Sequence, residues 1–225
     1  MIFKRPSSLG APLFAAALIV ASAPSLAHAE NSAPAIVAFD KMFSGVNDYT
    51  AILHVHESKG TQSQDRVYQY QFMKPHYVKT LILDGDGKGS GGVWTGGDQV
   101  SGHQGGLFSG IHLKVSIHDP RATSLRGATI PDGLLQHIVD SYGTIPGKLT
   151  QINGGKVNGV DTDRLDLKVS DPSSNYGVTD EILYVSKETH WPVRQILFTG
   201  SQNVLDETIN DVKTNTGLTQ KDFPF

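Results

Sequence analysis

From Tyr49 onward the chain is written in period two, in short runs closed by turn residues, and no other feature constrains its fold as strongly. Tyr49, Ala51, Leu53 and Val55 alternate with Thr50, Ile52, His54 and His56, which puts the two sets on opposite faces of a strand. Residues 66–73 (RVYQYQFM) and 77–83 (YVKTLIL) continue the pattern across Lys74-Pro75, followed by a short hairpin at 93–103 and an alternating run from Ile111 to Ile117. After residue 149 the rhythm resumes at 149–152, 160–169, 181–186, 193–199 and 204–212, with Asn153-Gly154, Asn158-Gly159 and Gly200-Ser201 as hairpin-type connections. Helices do not alternate with these strands, so a parallel sheet is not expected.

Two segments switch to helical spacing. Ile36, Phe39, Met42 and Phe43 form one stripe, with Ser32 placed to cap the helix and Gly45 to stop it. Leu134, Leu135, Ile138, Val139 and Tyr142 form another over residues 131–142, with Pro131 in the first turn and Gly143 at the end. The order is helix, meander, helix, meander. An antiparallel sheet of this many strands must curl or close, and two helices suffice for one of its faces. The expected architecture is mainly β (α+β): a strongly bent antiparallel sheet forming an incomplete barrel, with helices covering the concave face.

The first 29 residues read as a cleavable leader: Lys4 and Arg5, an apolar run from Leu13 to Ala21, and the small-x-small site Ala27-His28-Ala29. The run is about half of what a bilayer span needs. The expectation is export to the periplasm and one domain over residues 30–225. Seventeen basic residues then face twenty-two acidic ones, leaving no basic field for nucleic acid or anionic lipid. Zero cysteines exclude a disulfide framework, thiol catalysis and an acylated anchor, so a free protein is expected; no later segment is apolar enough to span a membrane, and a monomer is the expected state.

Candidate chemistry is sparse. His54 and His56 share a strand face, but no third ligand stands at a recognisable spacing. The stretch 84–92 (DGDGKGSGG) departs from a calcium loop at Lys88 and Thr95 and reads as a hairpin connection. Nucleophile-elbow, Walker, zincin and dinucleotide motifs are missing. No enzyme, no metal and no cofactor is the reading that follows. Strands apolar on one face and half-apolar on the other suggest instead a concave side that either packs beneath the helices or forms a cavity for an acyl chain.

Several phrases carry a resemblance: Val46-Asn-Asp-Tyr49 after the first helix; Tyr70-Gln-Phe-Met-Lys-Pro75 with His76-Tyr-Val78; Val157-Asn-Gly159; Ile182-Leu-Tyr-Val185 then Trp191-Pro-Val-Arg194; and Ile209-Asn-Asp-Val212 with Gly217-Leu-Thr219. Together the chain resembles the periplasmic lipoprotein-carrier superfamily of LolA and LolB, with the amino-terminal domain of RseB (MucB) and lipoprotein-sorting-like proteins. The resemblance implies an unclosed barrel around an apolar cavity that holds a lipid or a lipidated protein. The alternative it offers is a sensor or scaffold for an envelope protein; an envelope hydrolase or metal protein ranks third. The residues expected to line the cavity are Phe39, Leu53, Tyr70, Phe72, Leu81, Leu113, Leu135, Ile138, Leu183 and Leu197. The glycine-rich stretch 84–110 matches no pattern of the family.

Overall fold

The computed structural model describes residues 33–108 and 110–224. The leader and the proposed cap Ser32 lie outside the described residues. Helix α1 (Pro34–Ser44) is followed by β1 (Asp48–Lys59), β2 (Gln62–Met73), β3 (Tyr77–Gly85), β4 (Gly91–Trp94), β5 (Gln99–His103) and β6 (His112–Ser116). After a one-turn helix at Ile130–Gly133 come α2 (Leu135–Thr144), β7 (Gly147–Val157), β8 (Val160–Val169), β9 (Asp180–Ser186), β10 (Pro192–Thr199) and β11 (Gln202–Thr214).

All strands belong to one antiparallel sheet in the order β6-β5-β4-β3-β2-β1-β11-β10-β9-β8-β7. Two meanders are thus joined along β1 and β11, where Leu53 stands opposite Ile209 and Val55 opposite Glu207. The sheet stays open, with β6 and β7 as its edges, and it is the bent half-barrel that the period-two runs imply. One consequence of the order decides where the site can be. Residues 117–146 connect one edge of the sheet to the other, so this connection has to cross a face, and it does so with a coil strap (117–129), the one-turn helix and α2.

Parity along each strand selects the buried face. Tyr49, Ala51, Leu53, Tyr70, Phe72 and Val78 are all at most 4% exposed, and α1 and α2 lay Ile36, Phe39, Leu135, Ile138, Val139 and Tyr142 against them in one cluster with Leu165, Leu167, Leu183, Val185 and Trp191. Neither helix has a side-chain cap, and at 11 and 10 residues both are too short to stand alone. Their apolar stripes on the sheet keep them helical.

The structure departs from the sequence reading at several ends. α2 begins at Leu135 because Ile130–Gly133 form a separate turn, and it runs through Gly143 to Thr144. Asn153-Gly154 is no hairpin turn: β7 continues to Val157 with a register shift at 153–155, a bulge absorbing the extra residue. The glycine-rich segments at 84–92 and 104–106 pack backbone against backbone. A Cβ on Gly85 would fall 2.0 Å from the Asp65 carbonyl oxygen, and one on Gly105 2.0 Å from that of Lys88.

The C-terminal tail is pinned at the start of β1. Asp48, 4% exposed, accepts hydrogen bonds from Thr216 N (2.6 Å), Thr216 Oγ1 (2.7 Å) and Gly217 N (3.2 Å). Asp48→Ala leaves these donors without their acceptor and is expected to cost about 1–3 kcal/mol. Urea unfolding checks this, together with faster proteolysis at residues 215–222.

Candidate functional site

The concave face is apolar at its centre and polar toward one end, and the crossing connection is fastened at both. Tyr49, at 0% exposure, accepts a hydrogen bond from Leu135 N (3.0 Å) and donates to Gln136 Oε1 (3.2 Å), which holds the start of α2. Tyr70 donates to the Ile130 carbonyl at 3.0 Å. Burial pushes both phenols well above their ordinary pKa, with the Glu207 charge adding to it in each, so both remain neutral donors. Glu57, 5% exposed, accepts from Ser124 Oγ (2.7 Å), Leu125 N (2.8 Å) and Arg126 N (3.2 Å) on the strap.

Under α1 the space is filled by rings. Phe39 stacks on Phe43 at 5.4 Å and meets Trp191 edge-on at 5.7 Å, while Tyr49 lies 5.0 Å from Phe72 and 5.3 Å from Trp191. Such contacts stabilise beyond simple burial by about 0.5–1.5 kcal/mol each. The polar end is made by Glu57, Glu181, Gln195 and Glu207, all buried. Burial raises the Glu207 carboxyl to about 7, with the Glu57 charge adding to it. Glu181 is raised by burial too, and its hydrogen bond from Asn175 Nδ2 (2.7 Å) works against the shift.

Of the residues expected to line a cavity, Phe39, Leu53, Tyr70, Phe72, Leu135, Ile138 and Leu183 are brought together in the core cluster. Leu197 is opposite Glu181 and Leu205 and is only half-buried. Leu81 is not among them. It pairs with Gln69, whereas Tyr70 pairs with Thr80 and Phe72 with Val78, and directly opposed residues share a face. Val78 and Ile82 therefore take the inward positions and Leu81 the outward one. Leu113 has inward parity but is 46% exposed, because its partner across β5 is Gly102 and the next is Gly92, which offer no side chain to pack on.

Glu57, Glu207 and Trp191 were absent from that expectation. A signal for the two acids was present: each carries the parity of the apolar set on its strand, Glu57 with Leu53 and Val55, Glu207 with Leu205 and Ile209.

The histidine pair lies on the convex side. His54 and His56 line a polar groove of about 490 Å³ with Asp65, Arg66, Asp84, Arg194 and Asp206, and His56 Nδ1 is 2.8 Å from Asp65 Oδ1. Among the described residues, no group of three His, Cys, Asp or Glu is placed to hold a metal ion, and no helix is long and apolar enough to cross a membrane. Asp84 takes a hydrogen bond from Lys88 Nζ and Asp86 one from Asp65 N, so the glycine-rich turn spends these carboxylates on itself.

No protein-family model matches this chain, and no curated protein matches it in sequence. Among solved structures, an uncharacterized conserved protein from Thermus thermophilus is similar at 11% identity and a TM-score of 0.54, over 84% of this chain and 90% of that one. The lipoprotein LppX of Mycobacterium tuberculosis is similar at 16% identity and a TM-score of 0.48, over 84% and 99% of the two chains. A LolA superfamily protein from Nitrosomonas europaea is similar at 11% identity and a TM-score of 0.37, over 85% and 96%. At 11% identity the likeness to the Thermus protein shows a shared fold alone.

Proposed function

We propose that the protein is a non-catalytic binding protein of the periplasm whose concave apolar face takes a hydrophobic ligand, a lipid or the acyl chains of a lipidated protein. One observation carries the reading. The crossing connection lies over that face and is joined to it through side chains rather than strand pairing, by the apolar stripe of α2 and by hydrogen bonds from Tyr49, Tyr70 and Glu57, so the sheet can stay paired while the connection moves. Without a ligand, the connection and α1 close over the apolar face, because exposing that surface to water costs roughly 25 cal/mol per Å². A closed interior is therefore the resting form of such a site. The periplasmic location rests on the leader-like first 29 residues.

The ring packing of Phe39, Phe43, Tyr49, Phe72 and Trp191 favours a second reading, in which the interior is permanent core and the protein acts as a scaffold for an envelope protein docked outside. Native mass spectrometry of the purified protein and titration with a fluorescent fatty acid separate the two. A bound lipid, or saturable binding displaced by unlabelled fatty acid, is expected. A ligand-free protein that leaves the probe unbound rejects the carrier reading in favour of the scaffold.

A further inference from the structure

The strap, residues 117–129, contains neither helix nor strand, and its main fastening is an acid. Glu57 gathers Ser124 Oγ and the Leu125 and Arg126 amides, while the Arg126 guanidinium reaches the Ser58 carbonyl (3.3 Å) and the Tyr176 carbonyl (2.7 Å). Glu207 sits on the neighbouring strand, two residues out of register with Glu57 on the same inward face: Glu57 pairs with Leu205 and Val55 with Glu207. Two buried carboxyl groups thus stand diagonally on neighbouring strands of one face, with the strap bonded to one of them.

We propose that the strap is a proton-controlled gate, latched by Glu57 and loosened when the adjacent Glu207 takes on charge. The proposal rests on the ligand-binding reading for its purpose, though not for its mechanism. When Glu207 is neutral, Glu57 is the sole anion of the pair, and the three strap donors compensate it. Ionising Glu207 places a second negative charge beside it, and the pair needs water or more donors. β1 and β11 cannot separate without breaking the central ladder of the sheet. The strap can, because side-chain hydrogen bonds rather than strand pairing fasten it to the pair.

The cations nearest the pair direct their guanidinium donors to other acceptors. From β2, the Tyr68 hydroxyl faces both acids and takes a hydrogen bond from Arg66 Nη1 at 3.1 Å, but the Arg66 Nε is committed to the Asp86 carbonyl. The Tyr49 and Tyr70 phenols sense Glu207 and are themselves neutral. From β10 the partner is the uncharged Gln195. From the strap, Arg126 is committed to two carbonyls. Burial raises the Glu207 pKa to about 7, which brings the switch into the ordinary range of envelope pH.

Hydrogen exchange on the full chain, without ligand, tests the gate directly. After correction for intrinsic exchange, protection of residues 124–128 is expected to fall about tenfold between pH 6 and pH 8, while amides of β1 and β11 keep theirs. Glu207→Gln removes the pH dependence and keeps the strap protected at pH 8. Glu57→Gln, or Ser124→Ala should that variant fail to fold, lowers protection of the strap at both pH values. A wild-type strap whose protection does not change with pH, or a change that survives Glu207→Gln, overturns the gate. Fatty-acid titration at the same two pH values is read separately: a pH-dependent strap with no fatty-acid binding retains the gate and rejects the ligand.

Discussion

Glu207→Gln is expected to gain about 3 kcal/mol of stability over the wild type as the pH of comparison is raised from 4 to 8. The unfolded carboxyl titrates near 4.5, and the folded one, lifted mainly by burial and then by Glu57, near 7. Between those values the native state holds a proton that the unfolded chain has released. The Glu207 contribution to wild-type stability therefore falls as pH rises through this window and is level on either side. At pH 4 the acid is neutral in both states, and glutamine, its close isostere, changes little. At pH 8 the wild type carries the whole penalty and the variant none. For a protein of this size the gain corresponds to roughly 6–12 °C in the unfolding midpoint. Comparing variant with wild type cancels the remaining titrating groups, including Asp140 and Glu181, both raised by burial. Melts at four or five pH values suffice, and a difference between the proteins that stays constant from pH 4 to pH 8 would show that Glu207 ionises normally.

Why that acid went unnoticed in the sequence, when most of the fold did not, follows from what side-chain periodicity records. Strand parity is a local property, so Tyr49, Leu53, Tyr70 and Phe72 declare their shared face without reference to the partner strand. Which face of β3 points inward depends on register, and the match of Thr80 to Tyr70 is set by pairing across the β2–β3 turn. Leu81, apolar and adjacent, is locally indistinguishable from Ile82. Leu113 fails for a different reason: its parity is right, but packing needs a neighbour, and Gly102 supplies none.

The strap is invisible to both tests. Residues 117–129 have no period, and their position over the concave face follows only from the strand order, which places β6 and β7 at opposite edges. Once that order is known, the connection has to cross the sheet, and the inward acids acquire a role. A charged residue at an apolar parity position is then the sequence mark of a fastening point.

Phe39→Ala is expected to destabilise the protein by about 3–5 kcal/mol and to do so by loosening α1 before the sheet. The ring has 0% exposure and packs on both Phe43 and Trp191, which also touch each other, so its loss leaves a void lined by rings anchored on different elements. Closing that void would require Trp191 to move, yet Trp191 is also held against Tyr49 at 5.3 Å. Relaxation is therefore incomplete and the cost falls in the upper part of the range for aromatic truncation. α1 has few other attachments: Ala35 N donates to Gln151 Oε1 on the edge strand β7, Lys74 Nζ donates to the Phe43 carbonyl and lies over its ring, and the uncapped helix otherwise depends on its stripe. Val37→Ala, on the same helix but 46% exposed, provides the control, with an expected change within about 0.5 kcal/mol. Urea unfolding gives the two energies, and hydrogen exchange shows whether α1 amides lose protection while those of β1 and β11 retain it. A Phe39→Ala variant within about 1 kcal/mol of wild type would mean that the rings repack freely, and the interior under α1 would then be plastic rather than a fixed core.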